Sequence, residues 1–142
     1  MDLSPKKRRE ILVQLLYLLE DSKEISLESA MSLMAVFRVN RRNMLSFYEE
    51  ANKIFTYKDS LDEQLSSLSQ EYSLERIAKV DLAILRVVLY ELQHDLIPVE
   101  IAIAEALRVA NKFSSFGAGK YLHAMIDSVF KQSKKIDAKA AL

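Results

Sequence analysis

The sequence predicts an all-α fold, a compact seven-helix bundle, and three observations carry that prediction. Only two Gly and two Pro occur among 142 residues, too few for the many turns of a β-sandwich or barrel. Half of the residues are apolar and 28% are charged, a balance that builds a core and argues against disorder. Apolar side chains recur at three- and four-residue spacing, and capping residues stand where the periodic runs begin. The length fits one domain over residues 1–142.

Ser4-Pro5 reads as an N-cap followed by Pro at the first helical position, opening a helix through about Glu20. Ile11, Leu12, Leu15, Leu16, Leu18 and Leu19 form its apolar face, and Asp21-Ser22-Lys23 ends it. Ser26 caps a short helix over about 27–37, and Asn40 caps a longer one carrying Met44, Phe47, Ala51 and Ile54. Ser60 with Glu63 fits a capping box for a helix ending near Glu71. Ser73 caps the next, about 74–93, where Arg86 alone is charged between Leu82 and Tyr90. A helix that is apolar nearly all round belongs at the centre. Pro98 opens another helix to about Phe113, and Gly117 and Gly119 punctuate the chain before a last one over about 120–130. The Lys- and Ala-rich tail from about 132 is expected to fray, and the charged stretch 57–76 is the one plausible seam between sub-bundles.

The formal net charge of zero conceals an asymmetry. Residues 1–16 carry a net of +2 and residues 106–142 a net of +5, whereas residues 17–105 carry −7. If the two ends meet in the fold they form one positive patch suited to a phosphate backbone. Solvated lysines that keep the chain soluble are the plainer alternative.

Composition closes off most chemistry. There is no Cys, hence no disulfide, no thiolate nucleophile and no Cys-ligated metal. His94 and His123 lie far apart with no third ligand in sequence, and neither receives a role. Gly117-Ala118-Gly119-Lys120 fails as a phosphate loop, because Ser114 stands where the first Gly belongs and Tyr121 where the magnesium-binding hydroxyl belongs. The expectation is therefore no enzyme and no metal. The N-terminus shows no cleavage-site pattern, and no uncharged apolar run reaches the roughly 18 residues of a membrane span, so a soluble cytoplasmic protein is expected.

One set of motifs is distinctive. Asp81-Leu82-Ala83-Ile84-Leu85-Arg86 leads into Tyr90-Glu91-Leu92, then Pro98, Glu105-Ala106, Lys120-Tyr121 and Ile126-Asp127. With the N-terminal arginines and Gln14-Leu15-Leu16-Tyr17, this order and spacing resembles the NusB family of transcription antitermination factors. The chain departs from the family pattern at Ala104, where Asn is usual, and at His123-Ala124, where Asn-Gly is usual. The resemblance implies an all-helical bundle of two three-helix halves that catalyses nothing and uses no cofactor. It implies partners too: boxA-type single-stranded RNA, the small ribosomal subunit protein NusE, and the elongating RNA polymerase complex. It leaves monomer and homodimer both open. Two rival readings are the RNA-binding module of a ribosomal RNA cytosine methyltransferase, for whose catalytic domain 142 residues leave no room, and a helical adaptor that binds protein only.

Single-stranded RNA is held by cations on phosphates and aromatic faces on bases. Lys6, Lys7, Arg8, Arg9, Gln14 and Tyr17 on the first helix, with Lys120 and Tyr121 on the last, supply both types, and they are the RNA-binding candidates. Tyr17 has an alternative, capping the core with its hydroxyl in water. Arg86, on its apolar helix, is expected to pair with Glu105, Glu91 or Asp127, and Glu91 and Asp127 to act as helix-to-helix anchors. Asp81 is the partner-binding candidate that the resemblance suggests, with Glu75 weaker on the same face.

Overall fold

The computed structural model describes residues 3–68, 77–94, 96–114, 121–128 and 131, and among them every regular element is α-helical. The helices are α1 (Pro5–Ser22), α2 (Leu27–Met31), α3 (Met34–Phe37), α4 (Arg41–Thr56), α5 (Lys58–Leu68), α6 (Lys79–Gln93) and α7 (Val99–Phe113), followed by helical residues 121–128. The caps behave as their chemistry predicts. Ser4 accepts the Lys7 N–H at 3.2 Å, Ser26 accepts that of Ser29 at 3.1 Å and Asn40 that of Asn43 at 2.7 Å.

Helix α6 is the axis of the molecule. Every residue from Asp81 to Glu91 is buried, and α1 and α7 pack along it. Ion pairs fix the directions: Arg9 of α1 meets Glu91 of α6, and Asp21 meets Lys79 at 2.7 Å, so the two helices run antiparallel. Helix α7 is likewise antiparallel to α6, with Glu105 brought to Glu91 by a shared arginine and Ser114 bonded to Asp81. Helix α4 covers α1 and carries α2, and α5 closes over α6. One continuous core runs through all of them, with Leu12, Leu16, Met44, Ile54, Leu65, Leu85, Leu89 and Leu122 fully enclosed.

Three boundaries differ from the sequence reading. The segment 27–37 is two short helices, because the chain turns at Ser32-Leu33 and the Leu33 N–H bonds back to the Ala30 carbonyl at 3.0 Å. Helix α5 begins at Lys58, two residues before Ser60, so the capping box is not the start; the Leu61 N–H reaches the Tyr57 carbonyl at 3.1 Å instead. Helix α6 begins at Lys79 after Ala78, and Ser73 lies outside the described residues, as do Gly117 and Gly119.

Arg86 also differs. It bonds Asp62 of α5 through Nε at 3.0 Å and Nη2 at 2.7 Å, and Glu20 of α1 through Nη1 at 2.6 Å. Glu91 and Glu105, two of its expected partners, are occupied by Arg9. Asp127 pairs with Lys131, four residues on, at 3.0 Å, and bridges to no other helix among the described residues.

Candidate nucleic-acid interface

Successive residues of an α-helix point about 100° apart, so four consecutive basic residues cannot share one face. The structure distributes them accordingly. Lys6 is exposed and Lys7 half-buried, and neither is ion-paired among the described residues. Arg8 turns toward α4 and bonds Glu50; burial, with the neighbouring charge of Arg9, holds its guanidinium below the ordinary value. Arg9 turns inward.

The placement of Arg9 corrects the expectation that it faces RNA with its neighbours. It is 4% exposed, forks onto Glu91 (Nε–Oε1 3.0 Å, Nη2–Oε2 2.6 Å) and also bonds Glu105 of α7. Burial opposes its charge, yet the bonds and charges of Glu91 and Glu105 outweigh that and raise its pKa further. The same balance applies to Glu105. Burial alone would raise its carboxyl, but the bond and charge of Arg108 and the charge of Arg9 hold it below the ordinary carboxylate range. Arg9 thus welds α1 to α6 and α7 beneath the surface.

Above it lies a groove. Its floor and walls come from the start of α1, the end of α3 and the second half of α7, and it encloses about 500 Å³. Five cations line it, Lys6, Lys7, Arg38, Arg108 and Lys112, against the single carboxylate of Glu10. Glu10 Oε1 meets Lys112 Nζ at 2.5 Å and Arg108 Nη1 at 3.4 Å, and Arg108 Nε bonds Glu105 at 2.5 Å. The bond to Glu105 and the charges of Glu105 and Glu10 raise the Arg108 pKa against the burial that opposes it. Among the described residues, Lys6, Lys7 and Arg38 pair with no carboxylate. Arg38 reaches the groove because it ends α3 in the left-handed region, at φ 56°.

The groove continues into an apolar hollow of about 410 Å³, and Gln14, Val36, Phe37 and Phe113 line both. Tyr17, 42% exposed, stands at the hollow with Val80 of α6. The structure therefore gathers Lys6, Lys7, Gln14 and Tyr17 along one side of α1. It also brings the basic second half of α7 to the same side.

Asp81 does not stand at an edge awaiting a partner. It is 2% exposed and accepts hydrogen bonds from the Ser114 hydroxyl and the Tyr121 hydroxyl. Tyr121, half-buried, is thereby tied to α6 beside Val80, one wall of the hollow. Lys120 and Glu75 lie outside the described residues.

Sequence reasoning leaves out Arg38, Arg108 and Lys112. The last two stand four residues apart on one face of α7, a spacing that pairs them with a single surface. Arg38 carries no such signal, since a left-handed cap is usually Gly or Asn. Among the described residues no group of three or more His, Cys, Asp or Glu could hold a metal, and no helix is long and apolar enough to cross a membrane.

The NusB family profile matches residues 6–131. The chain is 34% identical over 141 residues to the transcription antitermination protein NusB of Desulfitobacterium hafniense, covering 96% of this chain and 95% of that one. It is 32% identical over 124 residues to the transcription antitermination protein NusB of Acetivibrio thermocellus, covering 87% and 86%. The solved structure of T. maritima NusB superposes with a TM-score of 0.75 over 92% of this chain and 93% of that one, at 22% identity, and bears out the all-helical fold.

Proposed function

Because the chain belongs to the NusB family, a family of antitermination factors that are not enzymes, we propose that it acts in transcription antitermination by holding boxA-type single-stranded RNA in the groove between α1, α3 and α7. It does so together with the small ribosomal subunit protein NusE and delivers the RNA to elongating RNA polymerase. The observation that carries the RNA reading is the convergence of Lys6, Lys7, Arg38, Arg108 and Lys112 on one groove in a chain of zero net charge. A concave cationic strip beside an aromatic is what an unpaired polynucleotide needs: charge for its phosphates and a flat face for its bases. Glu10 tempers the strip, so phosphates entering it must displace or share its hold on Arg108 and Lys112.

In this reading Lys6, Lys7, Arg38 and Tyr17 contact RNA directly, with Arg108 and Lys112 behind them. Arg9 and Asp81 act from below, the first by fixing α1 against α7 and the second by seating Tyr121. Family membership supports the NusE and polymerase parts of this reading. A mobility-shift titration with a boxA-like RNA, with and without NusE, tests the proposal. The expected result is a salt-sensitive complex that tightens when NusE is present. Binding of NusE with no RNA complex under either condition would make the protein an adaptor for protein alone.

A further inference from the structure

We propose that the end of the bundle where α4 and α6 finish is a docking surface for an arginine-bearing segment of a partner protein, with Tyr57 and His94 as the rings that receive the guanidinium. None of its residues lines the cationic groove or the apolar hollow, and the inference stands apart from the RNA reading.

The centre of this surface is a tier of three rings. Tyr57 caps the end of α4 and His94 caps the end of α6. Tyr90, buried one turn before His94, has its ring 4.1 Å from that of His94 and 6.1 Å from that of Tyr57. His94 Nδ1 donates to the Tyr90 carbonyl at 2.8 Å, which holds the imidazole over its neighbour. A buried ring thus supports two that meet water, for Tyr57 is 45% exposed and His94 is exposed as well. Leu96 and Ile101, 56% and 47% exposed, stand at the same end, where the Leu96 N–H turns back to the Glu91 carbonyl and α7 begins. Apolar groups left open together, on rings already fixed in place, make a surface suited to being covered.

Charge selects what covers it. Asp59 and Glu63 of α5 and Glu100 of α7 are exposed and pair with no cation among the described residues. A side-chain bond between Gln64 and Gln93 sets Glu63 beside the end of α6. Two helices finish here, and α6 has no basic residue in its last turn to offset the negative pole of its carbonyls. Of the cations on the adjoining turns, Arg8 is bonded to Glu50 and Lys58 lies over the Phe55 ring at 4.5 Å, so Lys53 alone is left to oppose a cationic guest. Phosphates are disfavoured by such a setting. A guanidinium answers each part of it, stacking flat on an aromatic face while its N–H groups fork onto carboxylates. The aliphatic stem of the same side chain, with an apolar neighbour, covers Leu96 and Ile101.

The test titrates the full chain with the peptide acetyl-Leu-Arg-Ala-Leu-Arg-amide and follows the ring protons of Tyr57 and His94 by NMR. Both should shift saturably. The same peptide with citrulline for arginine, which keeps the shape and loses the charge, should bind several-fold more weakly. Tyr57→Phe should bind as the parent does, whereas Tyr57→Leu should weaken binding about two- to five-fold, the range for an exposed cation–aromatic contact. Asp59→Asn/Glu63→Gln should also weaken it and flatten its salt dependence. Circular dichroism checks that the variants fold, and their affinity for a boxA-like RNA should stay at the parent value. Shifts confined to other residues, equal binding of the citrulline peptide, or a Tyr57→Leu variant like the parent overturns the docking surface and leaves the RNA groove untouched. Ring shifts that follow protein concentration with no peptide present would make this end a contact between copies of the chain. Loss of RNA affinity in Tyr57→Leu would make it part of the nucleic-acid site, and either of these results also overturns the proposal.

Discussion

Two buried arginines hold this bundle together with the same device at different places, and the difference lies in what stands beyond them. Arg9 of α1 is gripped by carboxylates of α6 and α7, and Arg86 of α6 by carboxylates of α1 and α5. Each is a forked, charge-assisted bond set that spans three helices. Around Arg86 the network ends in structural contacts, Glu20 to Lys23 at 3.7 Å and the Phe55 ring at 6.0 Å. Around Arg9 it runs outward through Glu105 to Arg108, and from Arg108 through Glu10 to Lys112, in the wall of the cationic groove. The same chemistry therefore locks the fold in one place and underlies the cationic groove in the other. In the proposed RNA reading, Arg9 acts only through the exposed cations it aligns.

The largest expected effect separates the two. Removing one partner of a buried ion pair leaves an uncompensated charge and costs about 3–5 kcal/mol. Arg9→Ala should stand at the upper end, since the Glu91 and Glu105 side chains it abandons are 2% and 9% accessible. Arg86→Ala should stand at the lower end, because water reaches Glu20 and Asp62 at 19% and 25%. Urea unfolding measures both. The folded fraction of Arg86→Ala should bind RNA as the parent does, whereas that of Arg9→Ala should not. Equal RNA loss in the two would erase the distinction.

Acid probes both clusters. Burial would raise the Glu20 carboxyl, but its bond to Arg86 and the charges of Arg86, Lys23 and Lys58 hold it low, as Arg108 and Arg9 hold Glu105. A depressed carboxyl contributes its stability above the ordinary value of 4.5 and loses it as pH falls through the depressed one. Urea midpoints should therefore decline below about pH 4.5, and Arg86→Ala should decline less steeply because the hold on Glu20 is gone. An unchanged slope in that variant would detach Glu20 from the acid response.

Smaller effects come from the groove itself. Glu10→Gln removes the carboxylate that occupies Arg108 and Lys112, and RNA affinity should rise several-fold by filter binding, a gain of about 1 kcal/mol. A fall in affinity would make Glu10 a structural prop. Arg38→Gly relaxes the left-handed cap at φ 56° while deleting a groove cation. Thermal stability should hold or increase, by up to about 1 kcal/mol, while RNA affinity drops. Loss of both together would mean that the Arg38 side chain supports the fold.

Much of the fold is legible in the sequence because it rests on local rules. Ser4-Pro5, Ser26 and Asn40 cap their helices through bonds made within three residues, and the run from Leu82 to Val88, apolar but for Arg86, needs a central position wherever its neighbours lie. Partners are less legible. Arg86 can pair with any acid near α6, and its choice of Glu20 and Asp62 depends on how α1 and α5 approach it. Arg8 and Arg9 look alike in a basic run and part by one helical step into different surroundings. In the groove and hollow, Lys6, Lys7, Gln14 and Tyr17 share one side of α1 through helix spacing, but Arg38 arrives through a turn whose sequence gives no warning. Asp81 reads as an edge acid from its place at a helix start and is buried because Ser114 and Tyr121 close over it.

The proposed entry of RNA phosphates into the groove at the start of α1 is tested most directly by the salt dependence of affinity. Each phosphate contact on a single strand contributes about 0.7 to the slope of log affinity against log salt. Lys6→Ala/Lys7→Ala should lower that slope by about 1.4, whereas Arg41→Ala/Arg42→Ala, which removes exposed cations at the start of α4 outside the groove, should leave it unchanged. The reverse pattern, with the α4 pair carrying the slope and the α1 pair silent, would contradict the account.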